Sequence, residues 1–354
     1  VKVHVTCNTI PHNNEMEILP EYLKFLNSIK VDAIIASDLG TIKKVKKYAP
    51  DVDLHVSVQS GIVNYDTANA FYDMGAKRVV LARELSLEEI SEIRNKTNKE
   101  LELEAFVHGA MCVSFSARCL LSSYMTGRDA NRGDCAQPCR WSYKLLEETR
   151  PGQYYEIEQN ERGTHILSPK DLCLVEYLPQ LIEAGVDSLK IEGRTKSLYY
   201  VSAVTKAYRN AIDEVMAGKT DDLHKYFLEL KKVGNRGYTQ GFYLGNNNSE
   251  SYSYDISKGL AGADFLCEFW DKKDDSYLVK TKNKFLKGQE IEIITPDEQY
   301  ITKATEIVSD KTKEELEVAN TNDELWIKFE RAPKNYKFAL ARTKEIKNDD
   351  ITSW

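Results

Sequence analysis

Four cysteines, Cys112, Cys119, Cys135 and Cys139, are separated by only six, fifteen and three residues. A thiolate needs only to be deprotonated and aimed at a metal, so four of them on one short stretch can close a tetrahedral or cuboidal site. Structural zinc usually draws its ligands from close pairs, whereas here only the last pair is close and no histidine is interleaved. That spacing favours a 4Fe-4S cluster over zinc. The plain alternative is four unrelated buried thiols acting as small hydrophobes. The chain has seven cysteines in 354 residues, an odd and low number that does not suggest a secreted disulfide scaffold. The other three, Cys7, Cys173 and Cys267, sit in strand or helix patterns and are expected in the core, with Cys7 close to a strand end.

The charges around the cluster are Arg118, Arg128, Arg132, Arg140 and Lys144 against Asp129 and Asp134, +3 over 112–144 in a chain of net charge -7. Such a patch can hold phosphates, and Trp141 and Tyr143 beside it can stack on unpaired bases. The same arginines can equally neutralise thiolate charge. The overall acidity argues against a protein that coats nucleic acid generally. With 42% hydrophobic and 29% charged residues the composition is that of a globular protein of two domains. No run of about 18 apolar residues marks a membrane span and no charged leader precedes an apolar stretch, so the expected location is the cytoplasm, with no membrane contact. The chain opens on Val1-Lys2-Val3-His4 without a methionine, and is expected to lack an N-terminal piece.

What positions the cluster is a repeated pattern of amphipathic helix, small turn and short β-branched strand, clearest at 28–37, 74–82 and 184–193, with further strands expected at 52–58, 103–108 and 165–168. Strands alternating with helices imply parallel β/α units, and this many suggest a TIM-like (β/α) barrel, an α/β fold whose working face lies at the strands' C-terminal ends. Those ends carry Asn8, Ser37, Asp38, Gln59, Arg83, Glu84, His108, Lys170, Asp171, Lys190, Glu192 and Arg194. Strand ends face water and are polar in any case, so the bland reading stands beside the functional one for each. Helices are expected over 196–232 and a glycine-punctuated loop over 235–242. From about 255 the period becomes two, predicting a small all-β barrel domain. The expected organisation is a (β/α) barrel over 1–245 with the cysteine-rich insert at about 108–145, a linker at 246–256 and the β domain at 257–354.

Several long motifs in order, Glu104–Cys112, Ser116–Cys119, Asn131–Arg140, Leu167–Leu172 and Lys190–Arg194, closely resemble the signature of the collagenase-like peptidases of family U32. The resemblance covers nearly the whole chain and implies the loss of the family's first β/α units. It implies RNA modification in place of proteolysis: prephenate-dependent hydroxylation of the wobble uridine of tRNA to 5-hydroxyuridine, with an iron-sulfur cluster held by Cys112, Cys119, Cys135 and Cys139. It also implies relatives that work with a paralogous subunit, so a partner chain or homo-oligomer is expected. Ala117 departs from the pattern, where glycine is expected.

On that implication His108, Glu192 and Lys190 are candidate catalytic residues, and Arg83, Lys170, Asp171, Arg194, Arg132 and Arg140 candidate substrate-binding residues, since prephenate carries two carboxylates that Arg or Lys can grip. For the barrel cations the alternative is a salt bridge tying strands together. The rival activity is a cysteine peptidase built on His108 and Cys112; no HExxH helix or GxSxG elbow offers another nucleophile or metal site. A third class is a zinc-stabilised RNA-binding module read by the β domain, which resembles the barrel found beside the GTPase domains of translation factors. The identity of the bound metal separates it from the first reading.

Overall fold

Three helices of the first half begin on a side chain that accepts an otherwise unpaired backbone N–H: Asp38 from Thr41, Asn64 from Thr67 and Ser86 from Glu89. Glu89 returns the bond to the Ser86 amide. Each cap follows a short strand, so the sequence alternates strand, turn and capped helix. The computed structural model describes residues 1–141, 159–160, 163–164, 169–245 and 261–344. In chain order the first unit runs β1 (His4–Cys7), α1 (Asn13–Ser28), β2 (Ala33–Ala36), α2 (Leu39–Tyr48), β3 (Asp53–Val56), α3 (Tyr65–Asp73), β4 (Arg78–Val80), α4 (Leu87–Lys96), β5 (Glu102–Ala110) and α5 (Leu121–Thr126), then β6 (Asp171–Cys173), α6 (Leu178–Glu183) and β7 (Ser188–Ile191).

Strands β1 to β5 lie side by side in chain order and are all parallel, and β7 adds in parallel to β5. This is the TIM-like layering the repeated pattern predicts. Strand β2, Ala-Ile-Ile-Ala, is buried throughout, as a strand covered on both faces must be. Strand β6 departs from the pattern by pairing with β5 in the antiparallel sense, while a two-residue strand, Tyr238–Thr239, extends the sheet in parallel on β6. The strand expected at 165–168 lies outside the described residues.

Near the starts of the strands an ion network binds neighbours together. Arg78 donates to Glu102 at 2.8 Å, to Glu104 at 2.9 Å and to Ser188 Oγ at 3.1 Å, while Ser188 and Lys190 each donate to Glu104 at 2.8 Å. Strands β4, β5 and β7 are thereby joined through one nearly buried carboxylate.

The second unit holds helices Leu198–Met216 and His224–Leu230 and a closed antiparallel barrel of six strands, Phe265–Lys273, Ser276–Thr281, Glu290–Ile294, Gln299–Ser309, Glu324–Phe329 and Leu340–Thr343. Its core is aliphatic and aromatic, with Leu266, Val279, Ile291, Ile293, Ile307 and Ile327 wholly buried. The sequence grouped the two helices with the (β/α) barrel; in the structure 1–192 and the segment from 236 form one compact unit, and 193–235 joins the C-terminal barrel in the other. The physical reason is Arg342, fully buried in the last barrel strand, which donates to Glu292 at 2.8 Å, to the Tyr199 hydroxyl at 3.1 Å and to Glu229. Lys206 of the long helix also donates to the carbonyls of Thr295 and Glu298. The linker predicted at 246–256 lies outside the described residues, and among the described residues no helix is long and apolar enough to cross a membrane.

Candidate functional site

Cys112 stands two residues past the end of β5, where the chain leaves the sheet for the excursion that carries the other three thiols. All four are half-buried. Three accept a hydrogen bond from the amide two residues further on: Ser114 N–H to Cys112 Sγ at 3.4 Å, Leu121 N–H to Cys119 Sγ at 3.3 Å and Gln137 N–H to Cys135 Sγ at 3.3 Å. The same turn therefore recurs three times. Gln137, the donor of the third turn, has a left-handed φ of 57°, a conformation that costs a non-glycine residue energy and is kept where the surroundings impose it.

The excursion is pinned from within. The Asn131 side chain clamps Cys119 by accepting from its amide at 3.1 Å and donating to its carbonyl at 3.0 Å. Ser122, wholly buried, accepts from the Ala136 amide at 3.0 Å, next to Cys135. Glu84, past the end of β4, accepts from the Ser116 amide at 2.8 Å, and Arg118 donates to the Gln59 carbonyl past β3. Ile10, in the loop after β1, donates to the Asn131 carbonyl at 3.2 Å. Thus three strand-end loops hold the thiol-bearing segment. Asn131 and Ser122 were not singled out from the sequence, although Asn131 lies inside a recognised motif; an amide side chain that imitates a backbone turn has no spacing signature.

Arg83 lies with its guanidinium 3.8 Å from the centre of the Phe106 ring and donates to the Ala110 carbonyl at 2.9 Å. Burial lowers its pKa, partly offset by Glu192 and Cys112. Its Nε and the Gln59 Oε1 are buried polar atoms without a hydrogen-bond partner among the described residues. Burial pushes the Cys112 thiol up, against the Ser114 amide and Arg83, which favour its thiolate. Glu192 follows β7 and donates its amide to the His108 carbonyl at 2.9 Å. Gly109, at φ 108°, allows this approach: a Cβ there would stand 2.4 Å from the Glu192 carbonyl oxygen.

The other candidates scatter. His108 is 1% exposed, its ring 5.3 Å from that of Tyr238. Lys190 is taken up by the Glu104 network, the strand-tying alternative raised from the sequence. Asp171 is fully buried as the first residue of β6, inside the sheet and not on a loop beyond a strand, and half-buried Lys170 precedes it. Arg132 pairs with Glu15 of α1 at 2.6 Å. Arg194 is exposed and belongs to the second unit. Trp141 is exposed, while the side chains of Ala117 and Arg140, and residues Tyr143 and Lys144, lie outside the described residues. Cys173 and Cys267 are buried as expected, and Cys7 is half-buried, its thiol pushed up to about 11 by burial.

Among the described residues no three Cys, His, Asp or Glu side chains converge to hold a single metal ion; a tetrahedral zinc site, with Zn–S about 2.3 Å, would need its thiols nearly in contact. A wider group is tested by donor chemistry, and here the fit is good. Four thiols without a competing histidine, three of them with amide donors on sulfur, form a set suited to an iron-sulfur cluster, whose sulfurs are commonly so bonded.

A protein of Methanocaldococcus jannaschii named as an uncharacterized protease is 47% identical over 260 residues, 72% of this chain and 62% of that protein, so the chain spans less than two thirds of that relative. The tRNA hydroxylation protein P1 of Bacillus subtilis is 36% identical over 96% of this chain and 81% of its own length. The 23S rRNA 5-hydroxycytidine synthase of Escherichia coli is 37% identical over 68% of this chain and 36% of its own. The models for peptidase family U32 and for its C-terminal domain match residues 1–253 and 262–342. The chain belongs to peptidase family U32.

Proposed function

We propose that this chain is an RNA hydroxylase that converts the wobble uridine of tRNA to 5-hydroxyuridine with prephenate as co-substrate, its four clustered cysteines holding a 4Fe-4S cluster. The observation that carries the reading is the thrice-repeated amide-to-sulfur turn at the C-terminal ends of a parallel sheet, in a chain with relatives named for tRNA and rRNA hydroxylation. Bound at Cys112, Cys119, Cys135 and Cys139, the cluster would supply electron transfer or Lewis acidity. The chain's own residues supply the rest. Arg83 has a buried Nε–H with no partner among the described residues, and a carboxylate of prephenate would satisfy it with a charge-assisted bond. Gln59 Oε1 offers an acceptor to a base N–H or a hydroxyl. Glu192, whose charge acts on Arg83, would take or give the proton. A wobble base is already unpaired in a free anticodon loop, so little energy is needed to bring it out.

The peptidase reading asks Cys112 to be an activated nucleophile, which needs a lowered thiol pKa; burial moves it the other way. The test is to incubate the anaerobically purified chain with unmodified tRNA, with and without prephenate, and to digest the RNA for mass spectrometry. 5-Hydroxyuridine formed only with prephenate is the expected result. Cleavage of casein or gelatin with no change in the RNA would overturn the proposal in favour of a peptidase.

A further inference from the structure

The cysteine excursion carries large apolar side chains on its outer surface: Tyr124 is 86% exposed, Leu120 75% and Phe115 54%. Large apolar side chains exposed together mark an interaction surface, and Leu120 and Tyr124 are the adjacent pair among these. Leu120 and Tyr124 stand one helical turn apart, the Tyr124 amide donating to the Leu120 carbonyl at 2.9 Å, so their side chains form one ridge. The same stretch, 112–141, holds four arginines against two aspartates, and with Glu15, which pairs with Arg132, the balance is +1 in a chain of net charge -7. Just past the end of that helix, beyond the left-handed Gly127, Arg128 pairs with Asp134 at 2.6 Å, and both side chains are more than half exposed; such surface pairs contribute little. Charge decides the kind of partner. The core of a protein interface is depleted of charge, whereas aromatic faces interleaved with arginines on a positive patch suit a polyanion with free base faces.

We infer that the Leu120–Tyr124 ridge is a stacking platform for unpaired RNA bases next to the target nucleotide, with Arg128 taking a neighbouring phosphate. The inference rests on the RNA reading above and adds residues outside the thiol set. Tyr124 holds the flanking base by its ring face, and its hydroxyl is dispensable.

The experiment measures binding of the full chain to a labelled RNA stem-loop whose loop carries the uridine, and to the same sequence closed as a duplex, by fluorescence anisotropy across a salt series. Tyr124→Ala is expected to weaken stem-loop binding about tenfold or more, with Tyr124→Phe restoring it and duplex binding little changed. Arg128→Gln is expected to lower the salt slope by about one. Tyr124→Ala binding the stem-loop as the wild type does overturns the platform, as does a wild type that binds neither RNA. A change of sedimentation in Tyr124→Ala at unchanged RNA affinity also overturns it, and gives the ridge to a second copy of the chain. Hydroxylation is scored separately by mass spectrometry. Tyr124-dependent binding without any hydroxylation keeps the platform and rejects the proposed function; hydroxylation that ignores Tyr124 rejects the platform alone.

Discussion

The two ends of the parallel sheet are built on opposite principles. At the strand starts, Arg78, Glu102, Glu104, Ser188 and Lys190 close a network in which one carboxylate answers two cations and a hydroxyl. At the strand ends, among the described residues, Gln59 Oε1 and Arg83 Nε are buried without a hydrogen-bond partner, and half-buried thiols follow β5. Buried polar groups are normally satisfied, so on the proposed function this pair is where a ligand would bind. On the proposed function, the first end serves stability and the second serves binding.

The contrast can be broken most strongly at Glu104. Replacing Glu104 by Ala strands Arg78 and Lys190 and is expected to cost about 3 kcal/mol in urea unfolding. Arg83→Gln, at the other end, is expected to cost less stability while lowering hydroxylation about tenfold or more, the loss of one charge-assisted bond. Equal stability losses with equal effects on activity would erase the distinction. Asn131→Ala leaves all four thiols in place and removes only the clamp on Cys119; iron retention against a chelator is expected to fall about tenfold.

Acid sharpens the comparison further. Burial would raise the Glu104 carboxyl, but Lys190, Ser188 and Arg78 outweigh it and hold the carboxyl below the usual range. Its contribution is complete above an ordinary carboxylate's pKa of about 4.3 and fades as pH falls through the lowered value. His55, 3% exposed, is pushed down to about 4 by burial and by Arg78. It stays neutral in the folded chain while the unfolded chain takes a proton near pH about 6.5, so stability falls with pH from there to about 4. Denaturant midpoints measured between these values are expected to drop in the wild type and to flatten in His55→Asn.

The repeating β/α pattern and the change to period two were legible in the sequence because each strand and helix writes its own burial pattern. The four thiols could be singled out because cysteine chemistry is dense and its spacing is informative; their joint role belongs to the proposed function. Lys190 and Asp171 were less so: both fall near a strand boundary, and the sequence does not say which cation Glu104 will capture or that β6 pairs antiparallel to β5. The Asn131 clamp and the attachment of 193–235 to the C-terminal barrel through Arg342 depend on tertiary contacts that leave no period to read.

The most direct measurement is iron and acid-labile sulfide per chain after strictly anaerobic purification, for the wild type and for Cys135→Ser. About four irons and four sulfides in the wild type, with visible absorbance that is lost in the variant while the fold persists, is the expected result. Stoichiometric zinc in the wild type, or iron content indifferent to Cys135, would contradict it.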